Sequence, residues 1–424
     1  MVERHVLDRG LTVLVDEMRD VRSLALGVFV EAGSEREPRS RRGISHFLEH
    51  VLFKRTRRRT NLEIARAIDL LGGDVDAFTT REYTGFYVHT LDARFAEALE
   101  LLSEIVLAPA FAAEDVEKER GVILEEIGEA NDNPEDLVHE TFVRGFWRGH
   151  PLGDPILGTA STVRAISRDD LYRYHRRRYT RRSLIVSAAG RLRNGPVLEA
   201  IERLLRRRGG SASRGRRATE RRPVPHGHVE VRPRRGLEQA HLCLGFRAPA
   251  FASSRRYAAQ LLDIVLGGGM SSRLFQEVRE RRGLVYSIGS SMHAYRLGGY
   301  EAISASCAPR NLPRVLDVTL RELSRLKRSG VRPRELRWAK ENLKGGILLA
   351  LESTVARMAA AARQEFYFGR PARPEEWISR VEAVTEDQIG EEAHRLLGGR
   401  VLALAVVGPV AKLGLTPSDL AAEL

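Results

Sequence analysis

The sequence predicts a mixed α/β protein that contains two homologous domains. Its 424 residues are too many for one ordinary core, and the 43% that are hydrophobic are ample for two cores of about 200 residues each. The segments VRAISRDDL and VEAVTEDQI begin at Val163 and Val381, and the segments LIVSAAG and LALAVVG begin at Leu184 and Leu402. Both pairs are 218 residues apart, and two identical offsets indicate a duplicated domain.

Domain boundaries follow from the repeat and from a change in composition. Residues 1–205 are predicted to form the N-terminal domain and residues 226–424 the C-terminal domain. Residues 206–225 are rich in Arg, Gly and Ser, which is typical of a linker.

Hydrophobic periodicity predicts the elements of the first half in order. The predicted strands are Leu11–Val15, Leu24–Ala32, a stretch of alternating residues over 74–91, and 183–190, and the predicted helices are 44–53, Asn61–Leu71, 92–107 and 113–130.

The helix in GISHFLEHVLF is apolar on nearly all sides, which indicates a buried helix. Its polar residues His46, Glu49 and His50 fall on one face, so that face has to meet something other than bulk water. Two imidazoles one turn apart can bind one Zn²⁺ at about 2.0–2.1 Å. Glu49 is placed to take a proton from water rather than to act as a ligand, as in the H-x-x-E-H motif. The alternative is two satisfied core histidines and an incidental glutamate.

A third zinc ligand is predicted in the helix AEDVEKERGVILEEIGEA. Glu119 and Glu126 lie two turns apart on the side that carries Val116, Ile123 and Ile127. Periodicity therefore favours Glu126 over its neighbour Glu125, which shares the solvated side. Spacing alone does not decide between Glu119 and Glu126.

HFLEH, the 75 residues between His50 and Glu126, and the sequence ERGVILEEI resemble the pitrilysin-type peptidases. The likeness is to the short, two-domain branch that includes mitochondrial processing peptidase and its bacterial relatives. The resemblance implies one zinc ion per chain bound by His46, His50 and Glu126. It implies that Glu49 is the general base and that Glu119 is a catalytic-site glutamate behind the ligands.

The second half lacks this site in the sequence and carries a different pair of residues. The segment that matches the zinc helix reads GGGMSSRLFQEV, and Gly345 and Gly346 stand where the third ligand would be. Arg279 and Tyr286 lie in QEVRERRGLVYSI, where Gly283 predicts a helix-to-strand break. The resemblance implies that Arg279 and Tyr286 hold the substrate and stabilise the oxyanion. The alternative is an ion-pair-rich surface turn.

The resemblance also predicts how substrate binds. The strand that contains Asp76, Ala77, Phe78 and Thr79 is expected at a sheet edge, where a peptide adds as a further strand. The family usually has asparagine in place of Asp76, which puts the backbone contacts at that residue in question. A core strand is the alternative.

Each domain is expected to be a mainly antiparallel sheet covered by helices on one face. In the family four such domains enclose a chamber, so this chain is expected to pair. Because the chain carries both residue sets, a homodimer with composite sites that cleaves unfolded peptides is favoured, and a heterodimer with a related chain stays open. A catalytically silent structural subunit is the rival within the family.

A net charge of +13 is a feature of many nucleic-acid-binding proteins. The arginines are dispersed, however, and no nucleic-acid-binding module accompanies them, so we do not expect this protein to bind nucleic acid. No apolar run of transmembrane length and no signal peptide are evident, so no membrane association is expected. Cys243 and Cys307, each in an apolar run, predict reduced core thiols and a cytoplasmic location.

Overall fold

The protein is described here by a computed structural model. The structure describes residues 2–207, 221–399 and 401–424. Most of the predicted linker, 206–225, therefore lies outside the described residues.

The elements of the first half confirm the predicted order of strands and helices. They are β1 Val2–Leu7, β2 Leu11–Glu17, β3 Ser23–Val30, α1 Ile44–Leu52, α2 Asn61–Leu71, β4 Asp74–Thr79, β5 Thr84–Leu91, α3 Phe95–Leu107, α4 Ala113–Asp132, α5 Pro134–Phe146, α6 Ala160–Ala165, α7 Arg168–Arg178, β6 Leu184–Gly190 and α8 Asn194–Arg207.

The second half contains five strands and seven α-helices in its described residues. They are β7 His228–Pro233, β8 Ala240–Ala248, α9 Arg256–Leu266, β9 Val285–Ala294, β10 Gly299–Cys307, α10 Leu312–Ser329, α11 Pro333–Ala350, α12 Thr354–Phe368, α13 Pro374–Glu382, α14 Glu386–Gly398, β11 Leu402–Gly408 and α15 Pro417–Ala422.

The second sheet has the strand order of the first except that β1 has no counterpart among the described residues, and this match over five strands confirms the predicted duplication. The first sheet runs β1-β2-β6-β3-β5-β4 and the second β7-β11-β8-β10-β9. Each contains one parallel pair, β2 with β6 and β7 with β11, while the remaining pairs are antiparallel. The strands β6 and β11 begin at Leu184 and Leu402, the residues that the repeat aligns.

The described residues form two compact units whose segments interleave along the chain. The first unit takes Met1–Gly128, Asp154–Thr219 and Leu348–Pro374, and the second takes Glu129–Gly153, Glu220–Ile347 and Glu375–Leu424. Each unit thus includes a helix from the other half: α12 joins the first sheet and α5 joins the second. This differs from the predicted contiguous domains.

The expectation that helices cover one face of each sheet is wrong, because α12 and α5 cover the second faces. Every residue of β6 and of β11 is buried, so these central strands are apolar on both sides and need cover on both. On the first sheet α12 packs its Met358 and Phe366 against Phe29 and Ile185. Paired ions anchor the same helix, with Arg357 donating to both oxygens of Asp16 at 2.6 and 2.7 Å.

The helix α1 is held at its N-terminus by a buried carboxylate. Glu37 accepts hydrogen bonds from the backbone N–H groups of Gly43 and Ser45, each at 2.7 Å. These are two of the N–H groups that have no partner within a helix. Gly43 has φ of 90°, and a Cβ atom there would lie 2.5 Å from the carbonyl oxygen of Leu157. The start of α1 therefore depends on glycine at this position.

Among the described residues no single helix is long and apolar enough to span a membrane. The helices α11 and α12 reach that length and composition only together, as a bent pair.

We expect Gly43→Ala to destabilise the fold more than Gly72→Ala, although both glycines have positive φ, 90° and 62°. Strain alone costs about 1–2 kcal/mol at each position. A Cβ at Gly72 meets nothing within 4 Å, whereas a Cβ at Gly43 clashes with the backbone at Leu157. This overpacking costs Gly43→Ala about 1–3 kcal/mol more, the usual range for an overpacked site. Urea unfolding of the two variants measures the difference in stability. Equal midpoints would contradict the requirement for glycine at the start of α1.

Candidate metal centre

The helix α1 confirms the predicted burial pattern and places its polar residues at one site. Phe47 and Leu48 are fully buried on the core side of the helix, whereas the side chains of His46 and His50 keep 13% and 18% exposure. The two imidazole rings have centres 4.6 Å apart with an angle of 60° between their planes. Two ring nitrogens therefore reach the same small volume.

The helix α4 brings Glu126 to these rings. Glu126 Oε2 lies 3.7 Å from His46 Nε2, and Glu126 Oε1 lies 3.4 Å from His50 Nε2. One ligand atom from each of the three residues falls within 4.8 Å of the other two. Of the two glutamates that spacing left open, Glu126 is the one in this group.

The three side chains fit a zinc ion. Glu126 Oε2 and His46 Nδ1 are buried atoms that lack a hydrogen-bond partner among the described residues. Burial, and secondarily the neighbouring His50, lowers the pKa of His46 to about 4, so this ring is a neutral imidazole at neutral pH, the form that binds metals. Two imidazoles and a carboxylate are a common ligand set for catalytic zinc.

Glu119 lies behind the site and contacts His50 from the other side. It is 1% exposed, and its Oε2 lies 3.3 Å from His50 Nδ1. When Nδ1 carries the ring proton and donates a hydrogen bond to Glu119, the lone pair of Nε2 is free to bind metal. Fixing the tautomer in this way is the usual role of a carboxylate behind a histidine ligand. Lys54 Nζ lies 3.1 Å from Glu119 Oε1 and balances the buried charge.

Lys54 is a residue of the site that the sequence pattern does not indicate. It follows the end of α1, one helical turn after His50, but nothing in the pattern links it to Glu119 on α4. Only the packing of the two helices reveals the contact.

Glu49 lies beside the three ligand residues but is not one of them. Its Oε2 accepts a hydrogen bond from Thr79 Oγ1 at 2.5 Å. Burial raises the pKa of Glu49, while the Thr79 hydrogen bond and His50 act in the opposite direction. A carboxylate with a raised pKa is suited to take up a proton near neutral pH.

The strand β4 lies at the edge of its sheet in the described part of the chain, where it pairs with β5. Asp76 is exposed, and its carboxylate accepts the Ala77 N–H at 2.8 Å and the Tyr87 hydroxyl at 3.2 Å. Phe78 packs edge-on against the Phe29 ring, with centres 6.3 Å apart. The predicted substrate residues Phe78 and Thr79 therefore direct half-buried side chains into the fold, and the exposed side chains of β4 are those of Asp74 and Asp76.

Arg279 and Tyr286 lie together in the second unit. Arg279 lies in the π-helical turn Phe275–Glu280, Gly283 has φ of 58°, and Tyr286 stands on the edge strand β9, as the predicted helix-to-strand break requires. The Arg279 guanidinium lies 4.7 Å from the centre of the Phe275 ring and 5.8 Å from that of Tyr286, which is 78% exposed. The ion pairs of this turn instead join Glu277 to Arg281 and Arg282.

Comparisons with known proteins agree with this geometry. The profile described as "Insulinase (Peptidase family M16)" matches residues 12–160, and "Peptidase M16 inactive domain" matches residues 165–343. An uncharacterized zinc protease of Mycobacterium leprae is 37% identical over 422 residues, 98% of this chain and 94% of that protein.

Two solved structures show the same fold. A protease from Helicobacter pylori has a TM-score of 0.91 at 20% identity and covers 96% of this chain and 99% of its own. A chain of complex III₂ from Candida albicans has a TM-score of 0.86 at 19% identity and covers 100% of this chain and 99% of its own.

Fold and site together define a protein with two related α/β halves and a candidate metal centre in the first half. The chain belongs to the insulinase family, peptidase family M16. This confirms the resemblance to pitrilysin-type peptidases and the two-domain α/β fold.

We expect Glu126→Gln to lower zinc affinity by at least about 100-fold, because the amide removes the anionic ligand while keeping the shape of the side chain. The matched control is Glu125→Gln, the adjacent and exposed carboxylate on α4. Bound zinc is measured by elemental analysis after dialysis against a buffered zinc concentration. Equal zinc in both variants would contradict the assignment of Glu126.

Proposed function

We propose that this protein is a zinc-dependent endopeptidase that binds one zinc ion per chain. The observation that carries the proposal is the convergence of His46, His50 and Glu126 within 4.8 Å, with Glu49 on the same face of α1. Relatives that are described as zinc proteases support it.

The side chains divide the chemistry of peptide hydrolysis among them. When bound by His46, His50 and Glu126, zinc would act as a Lewis acid that lowers the pKa of water and polarises the scissile carbonyl. Glu49 accepts the proton of the attacking water and returns it to the leaving amine. Glu119 keeps the Nδ1 proton of His50 in place, so that Nε2 faces the metal.

The substrate is proposed to be an unfolded peptide or oligopeptide that pairs with the edge of β4 as an added strand. The unpaired N–H and C=O groups of an edge strand bind a peptide backbone without regard to its sequence. The Asp76 carboxylate already accepts the Ala77 N–H, so a peptide carbonyl that binds this N–H has to replace it. Asp76, which stands where the family usually has asparagine, thus competes with the substrate backbone for the Ala77 N–H.

Arg279 and Tyr286 are proposed to hold the substrate and to donate hydrogen bonds to the oxyanion. Arg279 is packed between two aromatic rings, which limits its motion, and preorganised donors are the effective ones. We propose that a homodimer encloses a chamber in which the zinc site of one chain works with Arg279 and Tyr286 of its partner, in the cytoplasm. A related chain is the alternative partner.

A catalytically silent structural subunit is the second candidate, because a chain of complex III₂ from Candida albicans shares the fold and the second half matches the family model "Peptidase M16 inactive domain". The presence of His46, His50, Glu126 and Glu49 in one site favours the enzyme. Nucleic-acid binding is disfavoured, because no nucleic-acid module is evident in the sequence and many arginines are paired with carboxylates, as Arg357 is with Asp16.

We expect purified protein with about one zinc per chain to cleave a quenched fluorescent peptide of about 20 residues that is unfolded and basic. Glu49→Gln should keep the zinc and lose about 10²–10⁴-fold in kcat, because only proton transfer is removed. Mass spectrometry of the products and zinc analysis are made on the same samples. Full zinc without turnover in the unmodified protein would favour the silent subunit.

We expect two inactive variants, Glu49→Gln and Arg279→Ala, to regain activity when they are mixed under conditions of subunit exchange. A mixed dimer has one site with an intact Glu49 from one chain and an intact Arg279 from the other. Turnover is measured against mixing ratio, with each variant alone as control. No recovery, despite exchange shown by native mass spectrometry, would refute the composite site.

A further inference from the structure

The strand β4 reaches the metal centre through one side chain. Residues of a strand alternate between the two faces of a sheet. Phe78 lies on the face covered by α12, where it packs with Phe29. Thr79 consequently faces α1, and its hydroxyl oxygen lies 2.5 Å from Glu49 Oε2.

The Thr79 hydroxyl donates its hydrogen to Glu49 rather than to the neighbouring Thr84 hydroxyl. Thr84 is fully buried, and its hydroxyl donates to the carbonyl oxygen of Ala32 at 2.7 Å. Its one hydrogen is thereby used, so it has none for Thr79, whose oxygen lies 3.4 Å away. Thr79 is nearer to Glu49 and a carboxylate only accepts, so the Thr79 hydrogen points to Glu49.

We propose that Thr79 is a positioning residue for Glu49, a role that rests on the proposed function of Glu49 as the general base. A glutamate side chain has three rotatable bonds, and a single charge-assisted hydrogen bond at one oxygen removes much of that freedom. The second oxygen is then presented to water in one orientation. Positioning of this kind matters to the rate because a shift of about 1 Å at a reacting group can cost about 10²-fold.

The contact also joins two parts of the site that sequence analysis treated separately. Thr79 belongs to the strand proposed to pair with substrate, and it contacts the base through its side chain while its backbone belongs to the sheet edge. A peptide that adds to β4 is therefore bound by the same strand that sets the orientation of Glu49. In this arrangement the side chain of Thr79 orients Glu49 and does not bind the substrate.

Three variants separate positioning from a structural role. Thr79→Val keeps the shape and the β-branching but removes the hydroxyl. Thr79→Ser keeps the hydroxyl. Thr90→Val is the matched control, since Thr90 on β5 also donates a buried hydrogen bond, at 2.5 Å to the carbonyl oxygen of Leu71.

We expect Thr79→Val to lower kcat by about 10–100-fold with KM within about 2-fold of the unmodified protein and with zinc content unchanged. Thr79→Ser should stay within about 3-fold of the unmodified kcat, and Thr90→Val should leave kcat unchanged while lowering stability. Normal turnover in Thr79→Val, or equal losses in Thr79→Val and Thr79→Ser, would overturn the positioning role. No turnover in the unmodified protein would instead refute the proposed function.

A double-mutant cycle tests the contact without any turnover. Thr79→Val should shift the urea midpoint of the full-length protein when Glu49 is present, and should shift it much less when Glu49 has been replaced by Ala. Equal shifts in the two backgrounds would mean that Thr79 and Glu49 are not coupled, and the proposal would fail.

Discussion

Two imidazoles and the Glu126 carboxylate converge within 4.8 Å, with the Glu49 carboxylate beside them, and this arrangement suits a cation. Glu49 and Glu126 raise the electrostatic cost for each other, and Glu126 Oε2 and His46 Nδ1 are buried without hydrogen-bond partners in the described structure. A divalent ion would offset this cost, and the surroundings of α1 orient the side chains that are proposed to bind it. Glu37 and Gly43 set the start of the helix, Glu119 with Lys54 orients His50, and Thr79 holds Glu49.

The two halves carry different polar residues beside equivalent edges of their sheets. Five strands follow the same order in both sheets, and β4 and β9 occupy equivalent edges. In the first half an apolar helix with two histidines lies against the edge strand, whereas in the second half the segment before β9 is a π-helical turn that presents Arg279. The metal-ligand side chains and Arg279 therefore lie at comparable positions in the two halves.

Much of the fold and the site was predictable, because periodicity reports burial directly. The apolar surroundings of His46 and His50 predicted a buried helix, and the two-turn spacing narrowed the third ligand to Glu119 or Glu126. Contacts between elements that are far apart in sequence could not be predicted. The choice of Glu126, the Lys54–Glu119 pair and the Thr79–Glu49 hydrogen bond all depend on how α1, α4 and β4 pack. The interleaving of α5 and α12 was missed because amphipathic periodicity shows that a helix is covered, not which sheet covers it.

The central claim is that α1 and α4 together form a zinc centre. X-ray absorption spectroscopy at the zinc edge of the purified, zinc-loaded protein tests it most directly. The account predicts about four light ligands at about 2.0–2.2 Å, with the multiple-scattering signature of two imidazoles and no sulfur. In the Glu126→Gln variant this spectrum should be lost or altered. A sulfur shell, fewer than two imidazoles, or an unchanged spectrum in Glu126→Gln would contradict the site.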